Sequence, residues 1–352
     1  MNNLQQLDSG RNNNFDLIRF MAASMVIFSH SYWLTGNELI EPLGKLCGIV
    51  NFGSLGVKVF FAISGYLITK SVMRQPTLTG FVWARVLRIF PGLFAASVFC
   101  TFIIGPICTV LPIGQYLTNG ALFSFVWRLT TLHTYPNTLP GVFLSNPIAN
   151  NVNSPVWTLP GELLMYLCVL LLGIILLLIK KGIKSLIITL PLLLIVLAFF
   201  AGINLPADYL DNVISWAILF FLGMACYFLR SRILINIPVF IGMLVVFLLL
   251  FHFRFRFVEV AFDVVLMYGI LIVSYHPKLQ VKDFHKIGDL SYGLYIYAMP
   301  IQQLVVQKLS LLHPISHFFV SYVMVLPIAA LSWYFIEKQM LKLKTITLFK
   351  AD

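Results

Sequence analysis

The stretch ILINIPVFIGMLVVFLLLF, residues 233–251, contains no charged side chain. As an α-helix rising about 1.5 Å per residue, a run of this length matches the roughly 30 Å hydrocarbon core of a bilayer. Comparable stretches lie at residues 162–179 and 187–203, and less pure ones recur along the whole length. Composition agrees: 59% of the 352 residues are hydrophobic and 11% are charged, against about 25% charged in soluble domains. The mean hydropathy is +0.91. The chain reads as an all-α polytopic membrane protein, with no polar tract long enough for a separate soluble domain.

Ten transmembrane helices are predicted, over residues 15–34, 52–70, 89–111, 157–179, 186–203, 212–229, 233–252, 258–275, 288–308 and 315–336. They divide the chain into a cytoplasmic N-terminal tail (1–14), a transmembrane domain (15–336) and a cytoplasmic C-terminal tail (337–352). With both termini inside, the inner loops collect most of the 24 lysines and arginines, while Lys45, Arg128, Arg254, Arg256 and Lys308 fall outside. That bias is the positive-inside pattern. It accounts for the formal charge of +11 without a basic domain or a nucleic-acid partner. Residues 116–134 are apolar, but a crossing there would invert everything downstream, so they are expected on or partly within the outer leaflet. They lead into TYPNTLPGVFLSNPIANNVNSPVW, an Asn- and Pro-rich loop expected to face outward. The N-terminus lacks the basic n-region and small-residue cleavage site of a signal peptide. Cys47, Cys100, Cys108, Cys168 and Cys226 are scattered without metal spacing and read as packing residues.

Ionisable groups inside spans are costly and by default mark function. The first span carries Asp16, Arg19 and His30. At about 100° per residue, Arg19 and His30 fall within roughly 20° of one another, separated by about 16 Å along the axis. Asp16, one turn before Arg19, is placed to pair with it. The plainer reading has Arg19 snorkelling to the inner surface and His30 capping the outer end; their common face weighs against it. Glu162 opens the fourth span, at the depth assigned to His30. It reads either as the carboxylate that orients the imidazole or as an acid on the positive end of its own helix. Arg85 and Arg88 share a face one turn apart and suit phosphate, with Lys70 and Arg74 adding positive potential; the alternative is topology alone. Trp157, Tyr135 and Tyr166, with the Asn-rich loop, are candidate sugar contacts, or else interfacial aromatics. Arg254 and Arg256 stand against the charge bias, expected to pair with Glu259 or Asp263, or to attract an anionic glycan. Gly56, Ser64 and Gly65 mark a close-packing span.

The arrangement of Asp16, Arg19 and His30, together with FFAISGYLI, the Arg85-x-x-Arg88-Ile89-Phe90-Pro91 segment, VWTLPGELLMY and SYGLYIYAMP, resembles the acyltransferase 3 family of integral-membrane acyltransferases, in family order over residues 12–336. The resemblance implies a multi-pass protein of the bacterial inner membrane, surrounded by membrane lipids. It implies transfer of an acyl group, usually acetyl from acetyl-CoA, onto a hydroxyl of an extracytoplasmic glycan or lipid-linked glycan, such as O-antigen or exopolysaccharide, with no metal. It also implies that Arg19 and His30 are essential. Many members carry a His just before the Pro of the SYGLYIYAMP motif; here Ala298-Met299-Pro300 stands in its place. On this reading Arg85 and Arg88, with Arg74 or Lys70, hold the 3′-phospho-ADP head of acyl-CoA. The pantetheine arm runs past Arg19, and His30, oriented by Glu162, acts as general base or as a covalent acyl carrier. The competing class is a transporter or flippase for a lipid-linked glycan. The repeat symmetry and paired helix breaks of such proteins are not found in the sequence.

Overall fold

The computed structural model of the protein describes residues 3–8, 13–74, 77–181, 209–309 and 313–345. The predicted span 186–203 lies outside the described residues. Among the described residues there are no named β-strands, only helices joined by loops. The long helices are α1 (Phe15–Leu34), α2 (Phe52–Arg74), α3 (Leu78–Phe99), α4 (Leu159–Lys181), α5 (Tyr209–Phe228), α6 (Ile237–His252), α7 (Val258–Tyr275), α8 (Ser291–Lys308) and α9 (Pro314–Ser332). Two run on through π turns, α3 by way of Cys100–Ile104 to Cys108, and α9 by way of Trp333–Glu337 to Lys342. The second extension carries helix past residue 336, where the sequence reading placed the start of the tail.

Among the described residues, six helices are long and apolar enough to cross a membrane: α2, α3, α4, α5, α7 and α9. Two more, α1 with 20 residues and α8 with 18, have the length without the apolarity, and α6 is apolar at 16 residues. The segment 116–134 does not form a long helix. Its helix Ala121–Thr130 has 10 residues and so reaches about 15 Å, half the hydrocarbon thickness. It buries Leu122, Phe125 and Leu129 while Phe123 and Trp127 stay exposed, one face against the protein and one away from it.

The centre of the bundle is built from α1, α2 and α8. Helix α2 packs on α5 and α1, and α8 packs on α9 and α1. Small residues permit these approaches. A Cβ on Gly56 would lie 2.5 Å from the carbonyl oxygen of Ala22 in α1, and one on Gly65 would strike the backbone of Phe220 in α5. Much of the charge that reaches the interior is paired. Lys58 of α2 donates to Asp263 of α7 at 2.8 Å. This corrects the expectation that Asp263 serves the arginines near it in sequence, because a buried ammonium has the stronger need of that carboxylate. Arg254 is exposed, and the Arg256 guanidinium lies 5.7 Å from the Phe257 ring.

Two segments tie the bundle together. The Asn-rich loop packs into the bundle over part of its length. Asn137, Asn146 and Asn153 are buried in it, and its amides knit onto α8. Asn146 Nδ2 donates to Gln303 Oε1 at 2.7 Å, Gln303 Nε2 returns bonds to the Ile148 and Asn151 carbonyls, and Asn153 Nδ2 donates to the Ile296 carbonyl at 2.8 Å. Buried loop backbone has to find such partners. The N-terminal segment forms a strap: Leu4 N–H donates to the Ile233 carbonyl and Gln5 N–H to that of Arg230. Asp8 then accepts from Lys70 of α2 and from the Tyr275 hydroxyl of α7.

Candidate active site

Two cavities meet inside the bundle. The first, of about 90 Å³, is lined by Arg19, Arg85, Arg88, Glu162, Tyr166 and Tyr292 among others. The second, of about 410 Å³, is lined by His30, Trp33, Tyr135, Asn151 and Trp157 among others. Val57, Thr158 and Tyr295 border both. The Tyr295 hydroxyl bonds Thr158 Oγ1 at 2.8 Å and donates to the Pro155 carbonyl at 2.9 Å, so the seam between the cavities is one side chain thick and pinned. Helix α1 reaches both chambers, Arg19 at one end and His30 at the other, as their common face predicted.

The arginine cavity is a network of compensated charge. Arg88 Nη2 lies 2.6 Å from Asp289 Oδ2, and Arg19 Nη1 lies 3.4 Å from the same oxygen. Asp289, in the turn before α8, also accepts from the Ser291 hydroxyl. Arg88 Nη1 is 3.7 Å from Glu337 Oε2, and the Ser332 hydroxyl donates to Glu337 Oε1 at 2.9 Å. Arg19 lies 3.9 Å from Asp16, the pairing expected from their spacing. Arg85 differs. Among the described residues no carboxylate oxygen lies within 4.0 Å of it, its buried Nε has no hydrogen-bond partner, and its guanidinium lies 5.8 Å from the Tyr166 ring and 5.9 Å from the Phe81 ring. Of the four cations assigned to the donor, Arg85 and Arg88 line this cavity. Lys70 is engaged by Asp8 in the strap, and Arg74 is exposed at the end of α2.

The histidine cavity is the counterpart with an unanswered group. Among the described residues His30 Nδ1 is buried without a hydrogen-bond partner, and its ring lies 5.9 Å from that of Trp33. The turn of α1 that carries it is fastened from α8: Gln302 Nε2 donates to the Ile27 carbonyl at 2.9 Å and to Ser31 Oγ at 3.0 Å. Glu162 is not brought to His30. It accepts from the Tyr166 hydroxyl and lines the arginine cavity. The reason is the 3₁₀ turn Ser154–Thr158, which follows buried Asn153 into the bundle so that α4 begins inside the protein. Tyr166 is drawn inward with it, whereas Trp157 and the exposed Tyr135 line the histidine cavity. Among the described residues no three His, Cys, Asp or Glu side chains converge as a metal site would require.

The family model for an acyltransferase domain, the acyltransferase 3 model, matches residues 12–334. The chain belongs to this family. It is accordingly an enzyme, a multi-pass membrane acyltransferase. Over its whole length the acyltransferase is similar to a protein named O-acetyl transferase of Shigella phage Sf6, at 30% identity over 348 residues, covering 94% of this chain and 96% of the phage protein. A shorter match, 37% over 169 residues, joins 45% of this chain to 43% of Nodulation protein 10 of Rhizobium leguminosarum bv. viciae. No solved structure matches the acyltransferase at a significant level. Asp289, Glu337, Tyr292 and Tyr295 are site residues that sequence reasoning missed. Asp289 and the two tyrosines lie in or beside SYGLYIYAMP, so the motif itself was the signal.

Proposed function

We propose that this acyltransferase moves an acyl group, acetyl by analogy with its phage relative, from cytoplasmic acyl-CoA to a hydroxyl of an extracytoplasmic glycan, free or lipid-linked. The reading takes ten spans in the bacterial inner membrane, both termini in the cytoplasm, a transmembrane domain over residues 15–336 and cytoplasmic tails over 1–14 and 337–352. One observation carries it: a narrow cationic cavity abuts a wide aromatic one across a seam of three residues. A volume near 90 Å³ is well below the roughly 300–1,000 Å³ of drug-sized ligand sites. It suits a linear thioester arm with the nucleotide left at the entrance, not a whole coenzyme. Arg85, the arginine without a carboxylate partner, is the group to answer a phosphate or the thioester oxygen. Arg19 and Arg88, held by Asp289, set the potential and shape of the passage.

The acceptor hydroxyl enters from the histidine cavity, where neutral His30 takes its proton as the oxygen attacks the thioester carbonyl. The carbon–sulfur bond breaks, and the proton passes from His30 to the departing thiolate. Such general-base assistance contributes about 10²–10⁴-fold. Glu162 acts with Tyr166 and Arg85 at the donor side and not as the orienting group of His30. The deciding experiment incubates purified protein with radiolabelled acetyl-CoA and candidate glycans. His30-dependent label on the glycan is expected, and label that persists at full rate in His30→Ala would sink the assignment. Reporter fusions at each loop test the ten-span topology.

A further inference from the structure

Charge in the histidine cavity narrows what it accepts. Resting on the reading that this cavity admits the acceptor, we propose that the sugar presented to His30 is electrically neutral, and that the cavity discriminates against uronic acids and phosphorylated sugars. Two carboxylates, Glu38 and Glu41, line it, and among the described residues that line it there is no lysine or arginine. Glu41 is buried and fixed, its oxygens accepting from the Gly44 N–H at 2.6 Å and the Phe52 N–H at 2.8 Å. Glu38 is exposed at the edge, in the short turn Glu38–Ile40.

The uncharged groups point the same way. Asn151 Nδ2 donates one hydrogen to Ser154 Oγ at 2.9 Å, while among the described residues its buried Oδ1 has no partner. That oxygen can only accept. A sugar hydroxyl donates to it, to a carboxylate or to a free imidazole nitrogen; a carboxylate or phosphate cannot. The anionic group of such a sugar would bring in a charge that no described lining lysine or arginine meets and could not itself donate to a buried acceptor, two penalties that act together. The aromatic rings supply the remaining surface. Trp157 is held edge-on by Trp216 at 5.3 Å and by Tyr209 at 5.7 Å, a fixed wall for the apolar face of a pyranose ring. Arg254, an attractor for anionic glycans on sequence grounds, lines a different cleft with His252.

The test uses the full chain in detergent and tryptophan fluorescence, which reports occupancy without turnover. Neutral and uronate oligosaccharides differing only at C6 are titrated in turn. Wild type is expected to bind the neutral sugar about tenfold or more tightly than the uronate. Raising the salt from low to high should shrink that gap, since screening weakens the repulsion, and Glu38→Lys should close most of it. Equal or tighter binding of the uronate by wild type, or a gap unchanged by both salt and Glu38→Lys, would overturn the proposal. Transfer from labelled acetyl-CoA separates the two readings. The stated binding preference without any transfer refutes only the acyl-transfer step, whereas equal binding and acetylation of both sugars refutes only the preference. Binding of neither sugar refutes both.

Discussion

Helices α6 and α8 are similar in length and opposite in character. Helix α6 is almost purely apolar and buries none of its residues. Helix α8 carries Tyr292, Tyr295, Tyr297, Gln302 and Gln303, yet every residue from Ser291 to Gln303 is buried. In water the apolar helix would be the buried one. In a bilayer the lipid already serves as apolar surroundings, so polar side chains have more to gain from the protein interior. Helix α1, the other long helix too polar to score as a span, packs against α8, and the two cavities open along this pair. Hydropathy therefore undervalues the two helices along which the cavities open.

Substitutions can break or sharpen that contrast. The largest effect is expected on α1, where His30→Ala should lower transfer about 10²–10⁴-fold while thermal unfolding in detergent stays near wild type. Asp289→Ala, at the entry to α8, removes the carboxylate common to Arg19 and Arg88. Breaking a buried pair from one side costs about 3–5 kcal/mol, read as a lower Tm, and Asp289→Asn combined with Arg88→Gln should recover part of the loss. Arg85→Ala should raise KM for acyl-CoA about tenfold, on the order of one charge-assisted hydrogen bond, whereas Arg74→Ala should leave KM unchanged. A KM effect at Arg74 instead of Arg85 would reverse the assignment of the donor site. Lys58→Met should destabilise by about 3–5 kcal/mol while Lys58→Met with Asp263→Leu is close to neutral, since an apolar pair can replace a buried ionic one. On α6, Leu248→Ala, at a position 53% exposed and in neither of the two central cavities, should change transfer by less than about twofold. A large effect there would mean that α6 is covered by something functional.

Several spans were legible because each apolar run reports its own environment. Residues 258–275 were bounded correctly as α7, and 212–229 and 52–70 nearly so. The common face of Arg19 and His30 was legible too, since helical phase needs only one segment. Neighbours from other segments were not. Arg88 and Asp289 are 201 residues apart, and Lys58 and Asp263 are 205 apart. Periodicity fixes which way a side chain points and leaves open what waits there. Glu162 shows the same limit in depth: the descent of Ser154–Thr158 into the bundle displaced it from His30, and nothing in the composition of that loop, rich in Asn and Pro, distinguishes a buried path from a solvated one. The burial of Asn137, Asn146 and Asn153 was not legible for that reason.

The strap over residues 3–8 bears on how the protein is assembled. Asp8 is synthesised 267 residues before Tyr275, whose hydroxyl it accepts, and well before the Arg230 and Ile233 carbonyls that receive the N–H groups of Gln5 and Leu4. The strap therefore closes only after α7 has been made and docked. Until then Asp8 lacks the Tyr275 hydroxyl, and Leu4 and Gln5 lack the carbonyls that accept from their N–H groups. A chain stalled during insertion thus differs from a finished one at an end accessible to proteases, and the closed strap is a record that insertion was completed.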